Sequence, residues 1–361
     1  TTRSPLTLRQ RIRTELRRAI INGDLKPGTP LPSTRTLAAK WGSQTANVHA
    51  ALTTLVKEGL LTRQPGVGTV VRQREPRLER VALYSMSNPS SGPGSDDFER
   101  LVISEITSEY GRRGVAVEIL IDPRAERDQG SALPSLATAC DAGRIQAVLA
   151  ARIAPGNLAW LQKLTVLTAS TSAHAVRNAV RMDFESFFSE SLACLKEQGC
   201  RTIGFIHPCG ESFPHYGPPA GGAETLSRAF AARAARAGLR TSPRWIRTRQ
   251  GCQGAGFEEF GHDAFQKLWA LKERPDGLVV YTDVVARGVL YGVMESGVDV
   301  PGSLRLALHR NTELPYYCPV ESSFVEMRGR DIAHALISLV ELQLRGVKAA
   351  NVKVPFTLAG R

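Results

Sequence analysis

No stretch of about 18 consecutive apolar residues occurs in this chain of 361 residues, so no segment of it reads as a membrane-spanning helix. The chain opens on a basic, amphipathic stretch that lacks the apolar core of a secretory leader, and a cytoplasmic location is expected. Its six cysteines (Cys140, Cys194, Cys200, Cys209, Cys252 and Cys318) include no C-x-x-C pair and have no histidines at zinc-ligand spacing. They are expected to be free thiols, with no metal site. Phosphate-binding and hydrolytic motifs are also missing: there is no G-x-x-x-x-G-K, no H-E-x-x-H and no G-x-S-x-G. The glycines at 254 and 256 lack a strand–helix context. Lys163, Lys196, Lys267 and Lys272 fall in helical patterns, so none reads as a Schiff-base lysine. No catalytic residue and no cofactor are expected.

Acidic residues are scarce at one end. Residues 1–75 hold 13 lysines and arginines against four acids, a net charge of +9 out of +12 for the whole chain. A basic excess on a small module is the electrostatic footprint of nucleic acid. If six of those charges met phosphate, affinity would fall with salt at a log–log slope of roughly −5.

What is present in residues 31–71 fits that footprint. Ser33 is placed to cap a short helix, and Gly42 to end it. Ser43 or Gln44 opens a second helix that runs to Gly59. Val48, Leu52, Leu55 and Val56 form its single apolar stripe. The opposite, N-terminal face carries Gln44, Thr45, Ala46, Asn47, His49 and Ala50, small or hydrogen-bonding residues suited to reading base edges. A strand, a glycine-containing turn (Gln64-Pro65-Gly66-Val67-Gly68) and a second strand follow, which is a wing. Before this, Leu8, Ile12, Leu16 and Ile20 predict an amphipathic first helix.

The stretch resembles the DNA-binding domain of the GntR family of bacterial regulators. The residues that carry this are Gly23-Asp24-Leu25-Lys26-Pro27-Gly28, Leu31-Pro32-Ser33, Arg35, Leu37-Ala38, Ala51-Leu52, Leu55, Glu58-Gly59-Leu60 and Gly66-Val67-Gly68-Thr69-Val70-Val71. The resemblance implies that Arg35 contacts DNA, that residues 44–49 enter the major groove, and that the wing around Arg63, Gln64 and Gly66 reaches the minor groove. The family often carries arginines where Thr45 and His49 stand here, so a different operator is implied.

Residues 73–80 are polar and read as a linker, which divides the chain into a head (1–72) and a body (81–361). In the body, short apolar runs alternate with helical patterns. Strands are predicted at 81–86, 116–121, 146–151, 164–169, 179–183, 202–207, 244–248, 277–281 and 305–308. Helices are predicted at 97–113, 131–142, 184–198, 222–237, 258–272, 284–296 and 328–345. Such alternation predicts an α/β fold with parallel sheets, and its length predicts two lobes with a cleft at the carboxyl ends of the strands.

The body resembles the effector domain of the lactose-repressor family, a fold shared with type I periplasmic sugar-binding proteins. The resemblance rests on Val180-Arg181-Met182-Asp183, residues 192–205, residues 276–283, Ala286-Arg287-Gly288-Val289 and residues 295–301, and more loosely on 319–355. A GntR-type head on such a body is similar to the arrangement of arabinose-responsive repressors. The resemblance implies a small sugar-like effector between the lobes, a double-stranded DNA operator and a homodimer joined through the body. Asp283, between a strand and a helix, is expected either to accept from ligand hydroxyls or to cap its helix. His309 is read as a ligand contact or an exposed loop histidine. Ser85, Ser87, Asn88, Thr168 and Ser170 end strands and are further candidates, whereas Asp183 is expected to fix a turn. Sugar-binding relatives carry a clamping arginine where this chain has Leu226, and Arg228 lies about 200° further round the helix. A constitutive DNA-binding scaffold with a vestigial cleft therefore stands as the alternative.

Overall fold

The computed structural model describes residues 7–21, 23–72, 77–86, 97–124, 130–152, 158–171, 176–208, 226–248 and 256–360. Ser87 and Asn88, residues 73–76 of the linker, Cys209, Cys252 and most of the loops at 87–97 and 208–222 lie outside the described residues.

The apolar repeat of the first segment folds as α1 (Leu8–Ile21), which buries Ile12 and Leu16. Helix α2 (Thr34–Lys40) starts where the Ser33 hydroxyl accepts from the Thr36 amide at 3.1 Å, satisfying one of the donors that a helix start leaves open. Gly42 makes the next turn at φ +56°, a conformation that costs glycine little. Helix α3 (Thr45–Lys57) has Gln44 as its N-cap residue. Val48, Leu52 and Leu55 pack with Ile12, Leu16 and Leu37 in one core, with Val56 at its edge. Strands β1 (Leu61–Gln64) and β2 (Gly68–Val71) pair antiparallel, and Pro30 adds a bridge to Val70.

The body continues with β3 (Arg80–Ser85), α4 (Asp97–Arg112), β4 (Ala116–Ile121), α5 (Pro134–Asp141), β5 (Ala147–Arg152), α6 (Leu158–Leu161), β6 (Leu167–Thr171) and β7 (Ala179–Asp183). It then runs through α7 (Phe184–Glu197), β8 (Ile203–His207), α8 (Leu226–Arg236), β9 (Ile246–Thr248), α9 (Phe257–Trp269), β10 (Gly277–Val280), α10 (Asp283–Glu295) and β11 (Arg305–Asn311). Last come β12 (Ser323–Met327), α11 (Gly329–Leu344), β13 (Val352–Pro355) and β14 (Thr357–Leu358). Two six-stranded sheets result, ordered β13-β7-β6-β5-β3-β4 in lobe 1 and β14-β12-β11-β10-β8-β9 in lobe 2. All pairings in both sheets are parallel except β12–β14. Helices cover both faces, so central strands such as Val81–Tyr84 are buried on both sides.

Among the described residues the chain crosses between lobes at Asp183–Phe184, at Met327–Gly329 and at Pro355–Thr357. The last two crossings involve strands that the sequence pattern does not predict. Strand β13 reads Val-Lys-Val-Pro, and its proline is tolerated because β13 lies at a sheet edge. Strand β14 is two residues long, too short for any periodicity. Strand β11 runs to Asn311, three residues past its predicted end, because its polar tail pairs with β12.

Candidate nucleic-acid interface and inter-lobe cleft

The predicted reading face of the head is open. Arg35, Gln44, Thr45, His49, Arg63, Gln64 and Gly66 are exposed, and Asn47 is half-buried. Gln44 makes no side-chain capping bond, and no acid occupies the first turn of α3. The positive end of this helix is therefore left for an anion. Asn47 Nδ2 donates to Ser43 Oγ at 3.4 Å. Arg63 reaches from β1 to α3, donating to Thr53 Oγ1 at 2.8 Å and lying 3.0 Å from His49 Nε2. A guanidinium only donates, so in this contact His49 Nε2 is the acceptor. Strand β1 is thus stapled to α3. At its tip Gly66 has φ +77°, open space surrounds the point where a side-chain carbon would stand, and Val67 is 57% exposed.

The cleft expected between the lobes would be bordered by the carboxyl ends of the two sheets. In lobe 2, Val280 pairs with both Ile206 and Leu308, so the next residues, His207, Tyr281 and His309, stand level across three strands. All three are buried. Asp283 is the first residue of α10, and Thr282 is the N-cap. Its Oδ2 accepts from Asn311 Nδ2 at 2.8 Å and its Oδ1 from the Val284 amide at 3.0 Å. The Asp283 amide donates to His309 Nδ1 at 3.1 Å, which leaves the His309 hydrogen on Nε2.

Burial pushes the His309 imidazole down to about 4, against the opposing pull of Asp283 and Glu326. The ring packs against Tyr281, Phe356 and Phe187 at centroid distances of 5.0, 5.6 and 6.2 Å. His309 is therefore no exposed loop residue: it lies inside β11 and orients Asp283. Burial likewise pushes His207 down to about 3, and its Nε2 lies 2.9 Å from Ser227 Oγ. Three polar atoms at this end of lobe 2 have no hydrogen-bond partner among the described residues: His309 Nε2, His207 Nδ1 and Asn311 Oδ1. Buried polar atoms are rarely left so. Leu226, the first residue of α8, is 3% exposed and turns into the core beside Phe230.

Lobe 1 presents a different set. Ser85 ends β3, is buried, and donates its hydroxyl to Glu99 of α4. Ser170 is buried within β6. Thr168 lies near the start of β6, away from the cleft end, where its backbone is held by Gln343 of α11. The strand begins three residues later than expected, so Thr171 rather than Ser170 is its last residue. Sequence reasoning misses Asp122, which follows β4 and accepts from Tyr84 Oη at 2.6 Å and from Arg124 Nη2 at 2.7 Å. An acid and a cation directly after a strand are the available signal. It also misses Asn311, because the apolar pattern of β11 stops before its polar tail.

Both regions have counterparts among known proteins. Residues 8–71 match the family described as bacterial regulatory proteins, gntR family, and residues 192–361 match the periplasmic binding protein-like domain. The first match covers the head, and the second covers the later part of the body. The transcriptional repressor NagR of Bacillus subtilis is 37% identical over 101 residues, 27% of this chain and 41% of that protein. Catabolite control protein A of Priestia megaterium is 26% identical over 149 residues, 41% of each chain. This chain thus spans about two fifths of the length of these relatives. The solved structure of the transcriptional regulator CelR with cellobiose matches 92% of this chain and 99% of its own, with a TM-score of 0.62 and 14% identity. That likeness is one of fold.

Proposed function

We propose that this chain is a transcriptional repressor whose hold on a DNA operator is set by a small polar molecule bound between the two lobes. The observation that carries this reading is the pairing of an open, acid-free N-terminus of α3 with the unpartnered polar atoms beside Asp283. Gln44, Thr45, Asn47 and His49 read base edges, Arg35 and Arg63 meet phosphate, and the wing at Gln64–Gly66 enters the minor groove. Asp283 accepts hydrogen bonds from ligand hydroxyls, with Asn311 and His309 holding it in place. Ser85, which holds Glu99, and Ser170 line the lobe 1 side of that site. A sugar-like ligand, whose hydroxyls both donate and accept, fits a site offering Asp283 and Asn311 Oδ1 as acceptors and His309 Nε2 as a donor, and fits the cellobiose held by the similar regulator. No residue is assigned a catalytic role, in keeping with relatives that are named as regulators.

The operator is near-palindromic, with half-sites about one helical turn apart, bound by a homodimer. The dimer face joins α10, where Tyr291 and Met294 are 60% and 56% exposed, to the edge strand β4, where Ile119 and Ile121 point outward. Among the described residues no helix is long and apolar enough to cross a membrane, and the protein works in the cytoplasm beside its operator.

The test is a thermal-shift screen of the full chain against sugars, sugar acids, polyols and nucleosides, repeated with Asp283→Ala. A shift that vanishes in the variant supports the assigned site, and operator binding with that compound gives the sign of regulation. A shift that survives keeps the sensor and removes Asp283 from it. The burial of Leu226 in place of a clamping cation favours a second reading, a constitutive dimeric DNA-binding scaffold. No shift with any compound, in a chain that binds DNA, selects that reading.

A further inference from the structure

The head touches the body through more than its linker. Arg13 Nη2 of α1 donates to the carbonyl of Asp141 at 2.5 Å, and Arg17 Nη1 donates to that of Cys140 at 3.3 Å. These carbonyls end α5 of lobe 1, where the negative end of the helix favours a nearby cation. Arg17 is only 8% exposed. A second contact lies beside the first. Gly23, just past α1, is so close to the loop after α11 that a side-chain carbon there would lie 3.1 Å from Gly346 O, and Ile21 packs on the core of lobe 1.

The same two arginines face the recognition helix on their other side. Arg13 Nε and Arg17 Nε lie 3.7 and 3.8 Å from the carboxylate oxygens of Glu58, the C-cap residue of α3. One chain of contacts therefore runs from α5 through Arg13 and Arg17 to α3. Helix α5 connects the end of β4 to the start of parallel β5 and so runs back along lobe 1 from the cleft end, at Pro134, to the head end, at Asp141. It spans the distance that any signal from the cleft has to cover.

We propose that Arg13 and Arg17 are a seat that fixes the head to lobe 1 and couples the attitude of α3 to the cleft through α5. They are positioning residues, withdrawn from the pool of arginines available to phosphate. The desolvation that lowers the Arg17 guanidinium below its usual range, with Glu58 opposing, fits a group held between protein surfaces. The coupling to a ligand rests on the function proposed above; the seat itself does not.

The full chain, the double variant Arg13→Gln/Arg17→Gln and the body-side variant Gly143→Val are compared by calorimetry and by hydrogen exchange of α1 and α3. Gly143→Val leaves the head sequence intact and adds bulk where a side-chain carbon would already lie 3.6 Å from Arg17 Nη2; its strain at φ +74° falls on lobe 1, so the readout is the separation of the head's transition from that of lobe 1. The seat predicts that the head melts together with lobe 1 in the parent. In both variants it should separate as an earlier transition with faster exchange. A single unchanged transition in both variants overturns the proposal, whether or not any operator is known.

Binding to an operator-sized duplex over a salt series gives the second readout. Two lost phosphate contacts would lower the log–log slope by about 1.8, and that result also overturns the seat. An unchanged slope supports it. Where a ligand from the screen alters DNA affinity, that fold-change should fall toward one in the variants while the ligand's own thermal shift persists. A chain that binds neither DNA nor ligand removes the proposed function and leaves the calorimetric test standing.

Discussion

The head and the body handle their polar candidates in opposite ways. On the head, Arg35, Gln44, Thr45, His49 and the wing residues stand in solvent on a helix end and a turn. In the body, Ser85, Ser170 and His309 are each 2% exposed, bonded or packed inside the lobes. A surface that docks on a large polyanion needs only to be presented. The pocket proposed for a small polar ligand has to be built from groups that fix one another, as Asn311 and His309 fix Asp283. Single substitutions on the head should therefore change binding with little effect on folding, and substitutions around the cleft should change both.

The largest expected effect tests the cleft side of that contrast. Phe187 is fully buried against His309, Tyr281 and Phe356. Phe187→Ala should destabilise the body by about 3–5 kcal/mol, read as a lower denaturation midpoint at unchanged m-value. A loss below about 1 kcal/mol would mean that the cluster is not packed as described.

Acid should also act on the body. His309 and His207 titrate near 6.5 when unfolded and at about 4 and about 3 when folded. The unfolded chain then binds more protons through the interval between these values, so stability rises with pH there. Their contribution is complete above about 6.5 and is lost as pH falls toward 4 and below. For His309 the shift corresponds to roughly 3 kcal/mol. Denaturant curves at pH 7 and pH 4.5 should show this loss, and His309→Gln should reduce the difference between them. An equal difference in the variant would place the effect elsewhere.

On the head, Gln44→Ala and Thr45→Ala should each cost about 1–3 kcal/mol of operator affinity and relax base preference at one position, with unchanged thermal melting. Selection of bound sequences from a random pool reads this directly, and an unaltered preference would remove these residues from base contact. The smallest effect is that of Arg35→Gln. It should weaken binding to all duplexes alike and lower the salt slope by about 0.9; a sequence-dependent loss would make Arg35 a base-reading residue instead.

The sequence pattern locates most elements because their signals are local. Ser33 caps α2 through a bond to Thr36, three residues away, and strands β4 and β7 have the predicted bounds. It fails where the signal is short or polar: at β14, at the tail of β11 and at the four-residue helix α6. The candidate site is legible in part. Asp283 follows from its position between strand and helix, whereas its partner Asn311 lies 28 residues on, in a stretch without apolar alternation. Thr168 is misplaced by the pattern because the strand start shifts by three residues, which moves it from the cleft end of β6 toward the opposite end.

By itself the sequence determined the α/β alternation, the basic head with Gln44, Thr45 and His49 off its apolar stripe, and the position of Asp283 at a strand-to-helix turn. These follow from periodicity, capping and charge, all set within a few residues of each other. Only the tertiary structure decided that His309 is buried and neutral, that Asp122 is held by Tyr84 and Arg124, and that Arg17 reaches a carbonyl 123 residues away. Those facts depend on which helix ends and strand ends meet when the apolar faces pack, and no local spacing encodes that meeting.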